Sequence, residues 1–258
     1  MTLGFIGTGT MTAAIVAGLN AAGASARTIM LSPRNAKIAS DIASRFPRVS
    51  IAKSNQEVLD NCDTVVLALR PQIAENVLSS IRFSPEHHVI SIVATFGVSK
   101  LRKLATPATR VTRAVPFPSA ATRESPTAIY PHDTEAMDLF FSIGTPFSVD
   151  TEEEFDALSA ASAAVASYFA FADTVASWLA GRGISPVIAR DYVAQVLPAL
   201  KESAAEAPSS SFREMATGHA TVGGLNEQLL RHLDERKVFA ELTDGLDQVM
   251  LRVTTTNH

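Results

Sequence analysis

A short glycine-rich run near the start of the chain has the residue types and spacing that bind a dinucleotide. An apolar segment ends in Gly7-Thr8-Gly9-Thr10-Met11 and continues into an Ala-rich stretch with helical periodicity that reaches Gly23. Gly7 allows a tight turn, and the missing side chain at Gly9 lets a pyrophosphate approach the backbone. The N–H groups that open the next helix meet this anion with the favourable end of the helix dipole. The run therefore predicts a strand, a turn and a helix that bind a dinucleotide cofactor.

One position departs from the usual pattern of such turns. Thr12 stands where a third glycine is common. A side chain at this position predicts slightly looser packing between the helix and the strand, without blocking the phosphate site. An ordinary turn before a surface helix is the alternative interpretation of so short a motif.

The residues after the second predicted strand, 28–31, indicate which dinucleotide is bound. A site for NAD places Asp or Glu here to hold the ribose 2′-hydroxyl, whereas this chain has Ser32-Pro33-Arg34-Asn35. The guanidinium of Arg34 and the hydroxyl of Ser32 can bind a 2′-phosphate through charge-assisted hydrogen bonds. The sequence therefore predicts NADP in preference to NAD, which stays possible. A polar loop in which Asn35 caps the next helix is compatible with this prediction.

Apolar runs alternate with helical segments as far as residue 150, which predicts a doubly wound α/β domain over residues 1–150. The segments 63–69 and 88–93 are almost continuously apolar, as is typical of strands buried on both faces of a parallel sheet. His87 and His88 precede the second of these strands and are predicted to be exposed. Ligands of open α/β sheets lie beyond the carboxyl ends of the strands. The further residues predicted at the cofactor site are therefore Leu69, Arg70, Pro71, Val93 and Ala94.

The second half of the chain has the pattern of helices alone, which predicts an all-α domain over residues 151–258. Glu152 begins a long helix that is predicted to continue to about Ala180. Ser185-Pro186 begins the next helix, and Pro198 is predicted to bend or interrupt it. Two final helices cover 225–234 and 238–253. The Ala/Ser-rich long helix permits close contact with other helices, so a second subunit is expected to complete its apolar surface.

Composition and charge exclude several classes of protein. The chain has 258 residues, of which 47% are hydrophobic and 19% charged, as expected of a folded globular protein. A net charge of −4 gives no basic excess for nucleic acid, and no His/Asp/Glu/Cys set has metal-ligand spacing. The single cysteine, Cys62, is expected to be a packed thiol and suits a reducing cytoplasm. No secretory signal is predicted, and the apolar stretch 157–172 is interpreted as a buried helix and not a membrane span.

The order of these motifs resembles a known family. Gly4-Phe5-Ile6-Gly7-x-Gly9-x-Met11, a polar turn with Arg34, Leu69-Arg70-Pro71-Gln72 and Arg113-Ala114-Val115-Pro116 follow one another before the helical half. Over nearly its whole length the chain resembles the pyrroline-5-carboxylate reductases. The resemblance implies a Rossmann domain followed by a helical dimerisation domain, in which helices of two subunits interlock. It also implies NAD(P)H-dependent reduction of a cyclic imine to an amino acid, proline in the family's main activity. The cofactor contacts that it implies are Gly7, Gly9, Met11, Ser32, Arg34, Leu69 and Pro71.

The chain departs from the family where the substrate would be recognised. Phe117-Pro118-Ser119-Ala120 stands in place of the family's Asn-Thr-Pro-Ala, and residues 217–226 correspond only loosely to its carboxylate-binding Ser-Pro-Gly-Gly-Thr-Thr turn. A paralogue that reduces a related imine is therefore as plausible as the proline enzyme. The stretch 216–226 is predicted to be a donor-rich loop. Its predicted catalytic residues are His219, Thr221 and Asn226.

His219 has two open interpretations. It can donate a proton or bind a carboxylate, or it can be a surface histidine without a role. A protein that binds NADP without catalysis is the alternative from another class, because the substrate motifs are substituted. A β-hydroxyacid dehydrogenase is ranked low, since its catalytic lysine would lie on the first long helix of the second domain, and the chain has no lysine between Lys103 and Lys201.

Overall fold

A computed structural model describes residues 2–21 and 27–256, so the predicted end of the first helix at Gly23 lies outside the described residues. Within them the chain forms one eight-stranded sheet and twelve α-helices. The strands are β1 (Thr2–Ile6), β2 (Thr28–Leu31), β3 (Val49–Ile51), β4 (Thr64–Leu67), β5 (His88–Ser91), β6 (Arg110–Val115), β7 (Ser125–Tyr130) and β8 (Gly144–Ser148).

The helices of the first half alternate with these strands, and those of the second half follow one another directly. In the first half they are α1 (Thr10–Ala21), α2 (Ala36–Arg45), α3 (Asn55–Asn61), α4 (Pro71–Ser79), α5 (Val98–Leu104) and α6 (Thr134–Phe141). The helices that follow are α7 (Glu152–Ser162), α8 (Ala164–Gly181), α9 (Pro186–Glu206), α10 (Phe212–His219), α11 (Leu225–Glu235) and α12 (Val238–Thr256). A short 3-10 helix, Pro118–Thr122, connects β6 to β7.

The strand order confirms the predicted doubly wound α/β fold. The strands lie in the order β3-β2-β1-β4-β5-β6-β7-β8, and the six from β3 to β6 are parallel. β7 is antiparallel to β6, and β8 is parallel to β7. Because β1 lies between β2 and β4, the chain reverses direction across the sheet beside β1. Ligands of such folds bind at this reversal, at the carboxyl ends of the strands.

The sheet separates two hydrophobic cores. Leu3 and Phe5 of β1 point to one face and pack with α1, α2 and α6, whereas Ile6 belongs to the other face with α3, α4 and α5. All four residues of β4 are buried, which fits a strand covered on both faces. Cys62 is buried beside this second core, as the sequence predicts. Burial, with a smaller contribution from Asp63, raises the pKa of its thiol to about 11.

The chain divides into two compact units. The first contains the residues up to Ser159 together with those from Met250 onwards, and the second contains Ala160–Val249. In the described residues from 152 onwards every element is a helix, which confirms the predicted helical half. The predicted single helix to Ala180 is wrong in detail. It is divided at Ala163, whose N–H bonds to the carbonyl of Ala160, three residues back, where an α-helix would use the fourth.

Two other predictions for the helical half are corrected. Pro198 does not interrupt α9, which continues from Pro186 to Glu206. The predicted loop 216–226 is partly helical, because α10 extends to His219. Ser211 and Glu214 form a capping box at the start of α10, in which each side chain bonds to the other residue's backbone N–H. This cap satisfies donors of the first turn and favours the longer helix.

The apolar stretch 157–172 is less buried than predicted. The side chains of Tyr168, Phe169 and Phe171 on α8 are each more than 60% exposed. In the part of the chain that the structure describes, one helical stretch, residues 152–181, has the length and composition that would allow it to cross a membrane. Core helices of soluble proteins satisfy the same two criteria.

The prediction that His87 and His88 are exposed is wrong, since 7% and 2% of their surfaces are exposed. Both rings are buried because both have partners for their nitrogens. Nδ1 of His87 accepts the N–H of Ser84, and Nε2 lies 3.0 Å from the carbonyl oxygen of Leu59. His88 lies at the start of β5, where Nδ1 is 3.3 Å from Glu135 and Nε2 is 3.3 Å from the Thr112 hydroxyl.

His88 belongs to a charged cluster at the amino end of the parallel strands. Arg110 donates to both oxygens of Asp133, at 2.7 and 2.9 Å, and to Glu135 at 3.0 Å. Asp133 also lies 3.5 Å from Nε2 of His88. Burial lowers the pKa of His88, and Arg110 adds to this effect, which outweighs the opposite influence of the two carboxylates. Folding therefore favours the neutral imidazole.

We expect the buried His88 to make the protein less stable as the pH falls below neutrality. Because the pKa is lower in the folded chain than in the unfolded chain, the unfolded state binds the proton more readily, and stability decreases as the pH falls through the unfolded value near 6.5. The slope from one proton is at most about 1.4 kcal/mol per pH unit. Thermal unfolding between pH 7.5 and 5.5 measures it.

His88→Gln should flatten this dependence, since the amide does not titrate in this range. His132→Gln is the matched control, because His132 is exposed and bonds to the Ser148 hydroxyl. Equal pH slopes for the unsubstituted protein and His88→Gln would contradict the assignment.

Candidate functional site: a cleft at the carboxyl edge of the sheet

The turn between β1 and α1 requires a glycine at Gly7. Its φ of 102° lies in the left-handed region, and a Cβ there would overlap the carbonyl of Ala68 at the end of β4. The N–H of Gly7 donates to the hydroxyl of Ser32, 2.9 Å away. Thr8 donates to the carbonyl of Ser32 at 2.8 Å. The turn is thus bonded to the residue after β2 and lies directly against the backbone after β4.

Thr12 fits the turn without the looser packing expected from the sequence. It is fully buried, and its hydroxyl donates to the carbonyl of Gly7 at 2.7 Å. The threonine therefore closes the turn from the helix side. The close approach of α1 to a neighbouring backbone occurs at Gly18, where a Cβ would overlap the carbonyl of Ala120 in the 3-10 helix. The glycine spacing of residues 7–11 does not predict this contact between Gly18 and Ala120.

A cleft of about 300 Å³ opens beside this turn. It brings together residues after β1, β4 and β5, as the rule for the carboxyl ends of strands predicts. Its lining residues are Gly9, Thr10, Met11, Thr12, Asn35, Ile38, Ala68, Leu69, Arg70 and Ile92.

The cleft fits a dinucleotide at its phosphates. No atom lies within 4 Å of the position that a Cβ on Gly9 would take, so the backbone there is open to a pyrophosphate. The first N–H that bonds within α1 is that of Ala13, which leaves the preceding N–H groups for an anion. Arg70, which precedes Pro71 and the start of α4, is exposed and adds a positive charge to the lining.

Ser32 and Arg34, which follow β2, do not share the role that the sequence predicts for them. Ser32 is fully buried, and its hydroxyl is engaged by Gly7 and Thr8, so it supports the turn and is not open to a 2′-phosphate. Arg34 is exposed, and Asn35 beside it lines the cleft with a left-handed φ of 64°. Asn35 precedes α2 but makes no side-chain cap. A 2′-phosphate would therefore be bound by Arg34, without a competing acid.

The loop after β5 contributes one of the residues that line the cleft. Ile92 lines the cleft, whereas the side chain of Val93 is buried in the core beneath it. Ala94 is exposed in the turn that follows. The hydroxyl of Thr95 is buried and has no hydrogen-bond partner within residues 2–21 and 27–256.

The predicted catalytic residues lie in the second unit, around the start of α11. His219 is exposed at the end of α10, and its carbonyl accepts from the amide nitrogen of Asn226 at 3.1 Å. The carbonyl of Thr221 accepts from the N–H of Gly224 at 2.8 Å, which makes a tight turn. The side chain of Asn226 therefore connects the two helices, while the His219 imidazole and the Thr221 side chain are exposed to solvent in this chain.

Glu227 adds a negative charge to this turn that the sequence interpretation missed. Its carboxylate accepts the N–H of Gly223 at 2.7 Å, where Gly223 has a φ of 75°. Among the described residues, no group of three His, Cys, Asp or Glu side chains is arranged to hold a metal ion.

Arg113 is a second residue whose role was not predicted. It lies near the carboxyl end of β6 with 1% of its side chain exposed, and it contacts Glu152 and Asp156 on α7. The available signal was an arginine in an apolar strand together with two acids four residues apart on a later helix.

Comparisons with known proteins agree with this architecture. A family model described as "NADP oxidoreductase coenzyme F420-dependent" matches residues 2–95, which include the glycine turn and the strands around the cleft. A pyrroline-5-carboxylate reductase from Pseudomonas aeruginosa is 28% identical over 176 residues, which are 65% of this chain and 64% of that protein. Pyrroline-5-carboxylate reductase 3 of Rattus norvegicus is 34% identical over 44% of this chain and 42% of its own length. These matches thus span less than two thirds of both curated relatives.

Solved structures match over nearly the whole chain. The 1-pyrroline-5-carboxylate reductase of Streptococcus pyogenes superposes with a TM-score of 0.84 at 25% identity, covering 99% of this chain and 98% of that one. A Plasmodium falciparum pyrroline carboxylate reductase with NADP bound has the same TM-score at 18% identity, over 100% and 98% of the two chains, which shows the fold. The glycine turn, the cleft and the helical half define an NADP-binding oxidoreductase fold of two parts. Within this class the chain is similar to the pyrroline-5-carboxylate reductases.

We expect Arg34→Ala to weaken NADPH binding and to leave NADH binding nearly unchanged. The variant would lack the guanidinium and its hydrogen bonds to the 2′-phosphate. These are worth about 1.5–3 kcal/mol, which raises the dissociation constant of NADPH roughly tenfold or more. Quenching or enhancement of nucleotide fluorescence on titration measures both constants.

Arg45→Ala is the matched control for this experiment, because Arg45 is an exposed arginine at the other end of α2. Equal weakening of NADPH and NADH in Arg34→Ala would show that Arg34 does not bind the 2′-phosphate.

Proposed function

We propose that the protein reduces the C=N bond of a cyclic imine with NADPH. The substrate is pyrroline-5-carboxylate, with proline as the product, or a related imine. The observation that carries this proposal is the open glycine turn at the carboxyl edge of the sheet, in a chain whose relatives are named pyrroline-5-carboxylate reductases.

The chain's own residues would bind and orient the nucleotide. The pyrophosphate would lie against the backbone of Gly9 and the first N–H groups of α1, and Arg34 would bind the 2′-phosphate. Thr8 would support the turn from below through its bond to Ser32. The remaining proposed contacts are Thr10, Met11, Leu69, Arg70, Pro71, Val93 and Ala94. When bound, the nicotinamide supplies the hydride that reduces the imine carbon.

The turn between α10 and α11 is proposed to bind the substrate. A protonated imine is already electrophilic, so positioning and charge are the main requirements on the protein. His219 and Thr221 offer side-chain donors for a proton or a carboxylate, and Asn226 would orient them through its bond to the carbonyl of His219. The substituted turn, with Leu225-Asn226 after its glycines, supports a related imine as strongly as pyrroline-5-carboxylate.

We also propose that the helices of the second unit associate with a second copy of the chain. Tyr168, Phe169 and Trp178 on α8 and Ile188 and Tyr192 on α9 each have more than half of their surface exposed. Apolar patches of this extent mark interfaces in soluble proteins. A homodimer or a higher homo-oligomer in the cytoplasm fits this surface, and the net charge of −4 supports no nucleic acid partner. We expect no insertion into a membrane.

A panel of imine substrates tests the proposed activity. We expect NADPH absorbance at 340 nm to fall with pyrroline-5-carboxylate or with cyclic imines that differ in ring size or lack the carboxylate. A panel of 2-hydroxy and 3-hydroxy acids with NADP is the control for dehydrogenase chemistry. Tight NADPH binding without oxidation by any imine or ketone would instead support a binding protein that has lost catalysis.

We expect His219→Ala to lower kcat by roughly 10²-fold or more if the imidazole transfers a proton, with little change in NADPH affinity. His232→Ala is the matched control, because His232 is also exposed in the second unit. Steady-state rates and nucleotide titrations separate the two quantities. An unchanged kcat in His219→Ala would remove this residue from the proposed mechanism.

A further inference from the structure

The loop after β5, residues 92–97, is held at both ends by side-chain acceptors. At its beginning, the N–H of Val93 donates to the hydroxyl of Ser91 at 3.2 Å. At its far end, the N–H of Val98, the first residue of α5, donates to Oε1 of Glu152 at 2.7 Å. Ile92, at the start of the same loop, lines the cofactor cleft, whereas Glu152 is not among the lining residues. Glu152 therefore holds the end of a loop that lines the cleft, although Glu152 itself does not line it.

Arg113 in turn fixes Glu152. Its Nη1 atom donates to the same Oε1 at 2.7 Å and to Oδ1 of Asp156 at 2.9 Å. The guanidinium carbon lies 4.3 Å from the centre of the Phe155 ring, a further contact that favours the cation. One carboxylate oxygen thus joins β6, the start of α5 and the first turn of α7.

Burial makes Arg113 depend on the acids of α7. Its side chain is 1% exposed, so the two carboxylates take the place of water around the guanidinium. Its Nε and Nη2 atoms are buried without hydrogen-bond partners among the described residues. Because these two donors are already unpaired, loss of Glu152 would leave Asp156 as the one carboxylate bonded to Nη1 of the buried guanidinium among the described residues.

We propose that Arg113 and Glu152 are positioning residues, which hold loop 92–97 in the conformation that receives the nicotinamide half of the cofactor. This inference rests on the proposed function, because the loop has this role only if NADPH binds in the cleft. Neither side chain takes part in the reaction itself. They align the loop backbone instead. Small displacements of a segment that positions the reactants reduce turnover strongly.

The same strand supplies a matched control. Glu135 lies in the first turn of α6, as Glu152 lies in the first turn of α7, and each accepts a hydrogen bond from an arginine of β6. Arg110, the partner of Glu135, begins β6, whereas Arg113 lies near its end. Removal of either carboxylate breaks an ion pair of β6, but of the two only Glu152 also bonds to Val98, the residue that follows the loop.

The experiment compares Glu152→Ala, Glu152→Gln and Glu135→Ala with the unsubstituted protein. Steady-state kinetics give kcat, fluorescence titration gives the dissociation constant of NADPH, and thermal unfolding gives the stability of each variant. Hydrogen exchange of the peptide that covers residues 92–98, with and without NADPH, reports on the loop independently of turnover.

For Glu152→Ala we expect kcat to fall roughly tenfold, the scale of a lost hydrogen bond to a charged acceptor, because the bond from the Val98 N–H is removed together with that from Arg113. The dissociation constant of NADPH should change less than about threefold, since the glycine turn still binds the phosphates. Exchange in peptide 92–98 should be faster, and NADPH should protect it less. Glu152→Gln should recover most of kcat, because its amide oxygen can still accept from Val98, and Glu135→Ala should keep normal kcat and loop exchange.

Unchanged exchange and unchanged kcat in Glu152→Ala would overturn the proposal. It is equally overturned if Glu135→Ala lowers kcat and accelerates loop exchange as much as Glu152→Ala, since the effect would then follow stability alone. A protein that binds NADPH but reduces no imine contradicts the proposed function only. In that case the exchange of peptide 92–98 and its protection by NADPH still decide the positioning role.

Discussion

The peptide unit of Gly7 is bonded on both sides, and the geometry of the cleft depends on these two bonds. Its N–H donates to the Ser32 hydroxyl, and its carbonyl accepts from the Thr12 hydroxyl. The ends of β1 and β2 and the start of α1 are thereby joined at one buried point. Because this point is fixed, the free N–H groups of α1 are directed at the cleft without any side chain in between. A dinucleotide would meet donors that are already in place, which lowers the entropic cost of binding.

Strand β6 carries an arginine near each end, the exposed Arg110 and the buried Arg113, and each contacts acids at or near the start of a later helix. At its amino end, Arg110 is grouped with Asp133, Glu135 and the neutral His88. At its carboxyl end, Arg113 binds the acids of α7. Both groups attach a helix to the rim of the sheet, but only the second touches a loop of the cofactor cleft. An arginine–carboxylate ion pair thus stabilises the fold at the amino end of β6 and aligns the cofactor loop at its carboxyl end.

The local parts of this structure were predictable from the sequence, and the long-range polar contacts were not. Apolar runs, the Gly7 turn and the proline at the start of α4 identify the strands, the cleft and the helix starts. His88 was misjudged because its partner Glu135 is 47 residues away, and the ion pair of Arg113 was not predicted because Glu152 is 39 residues away. Ser32 was predicted to bind the 2′-phosphate, but the bond that its hydroxyl accepts from Gly7, 25 residues away, makes it a support of the turn. The order of residues along the chain reveals local periodicity, whereas these contacts between distant residues form only when the sheet assembles.

The end of α12 has a consequence for the synthesis of the protein. The residues from Met250 onwards belong to the same compact unit as the first strands, and Val253 among them is buried. The ribosome therefore releases the last piece of the nucleotide-binding unit only after the whole helical unit has been made. Domains usually fold as they emerge, beginning with the amino-terminal one. Here the amino-terminal unit includes a segment from the other end of the chain, so it can be completed only after the helical unit has been made.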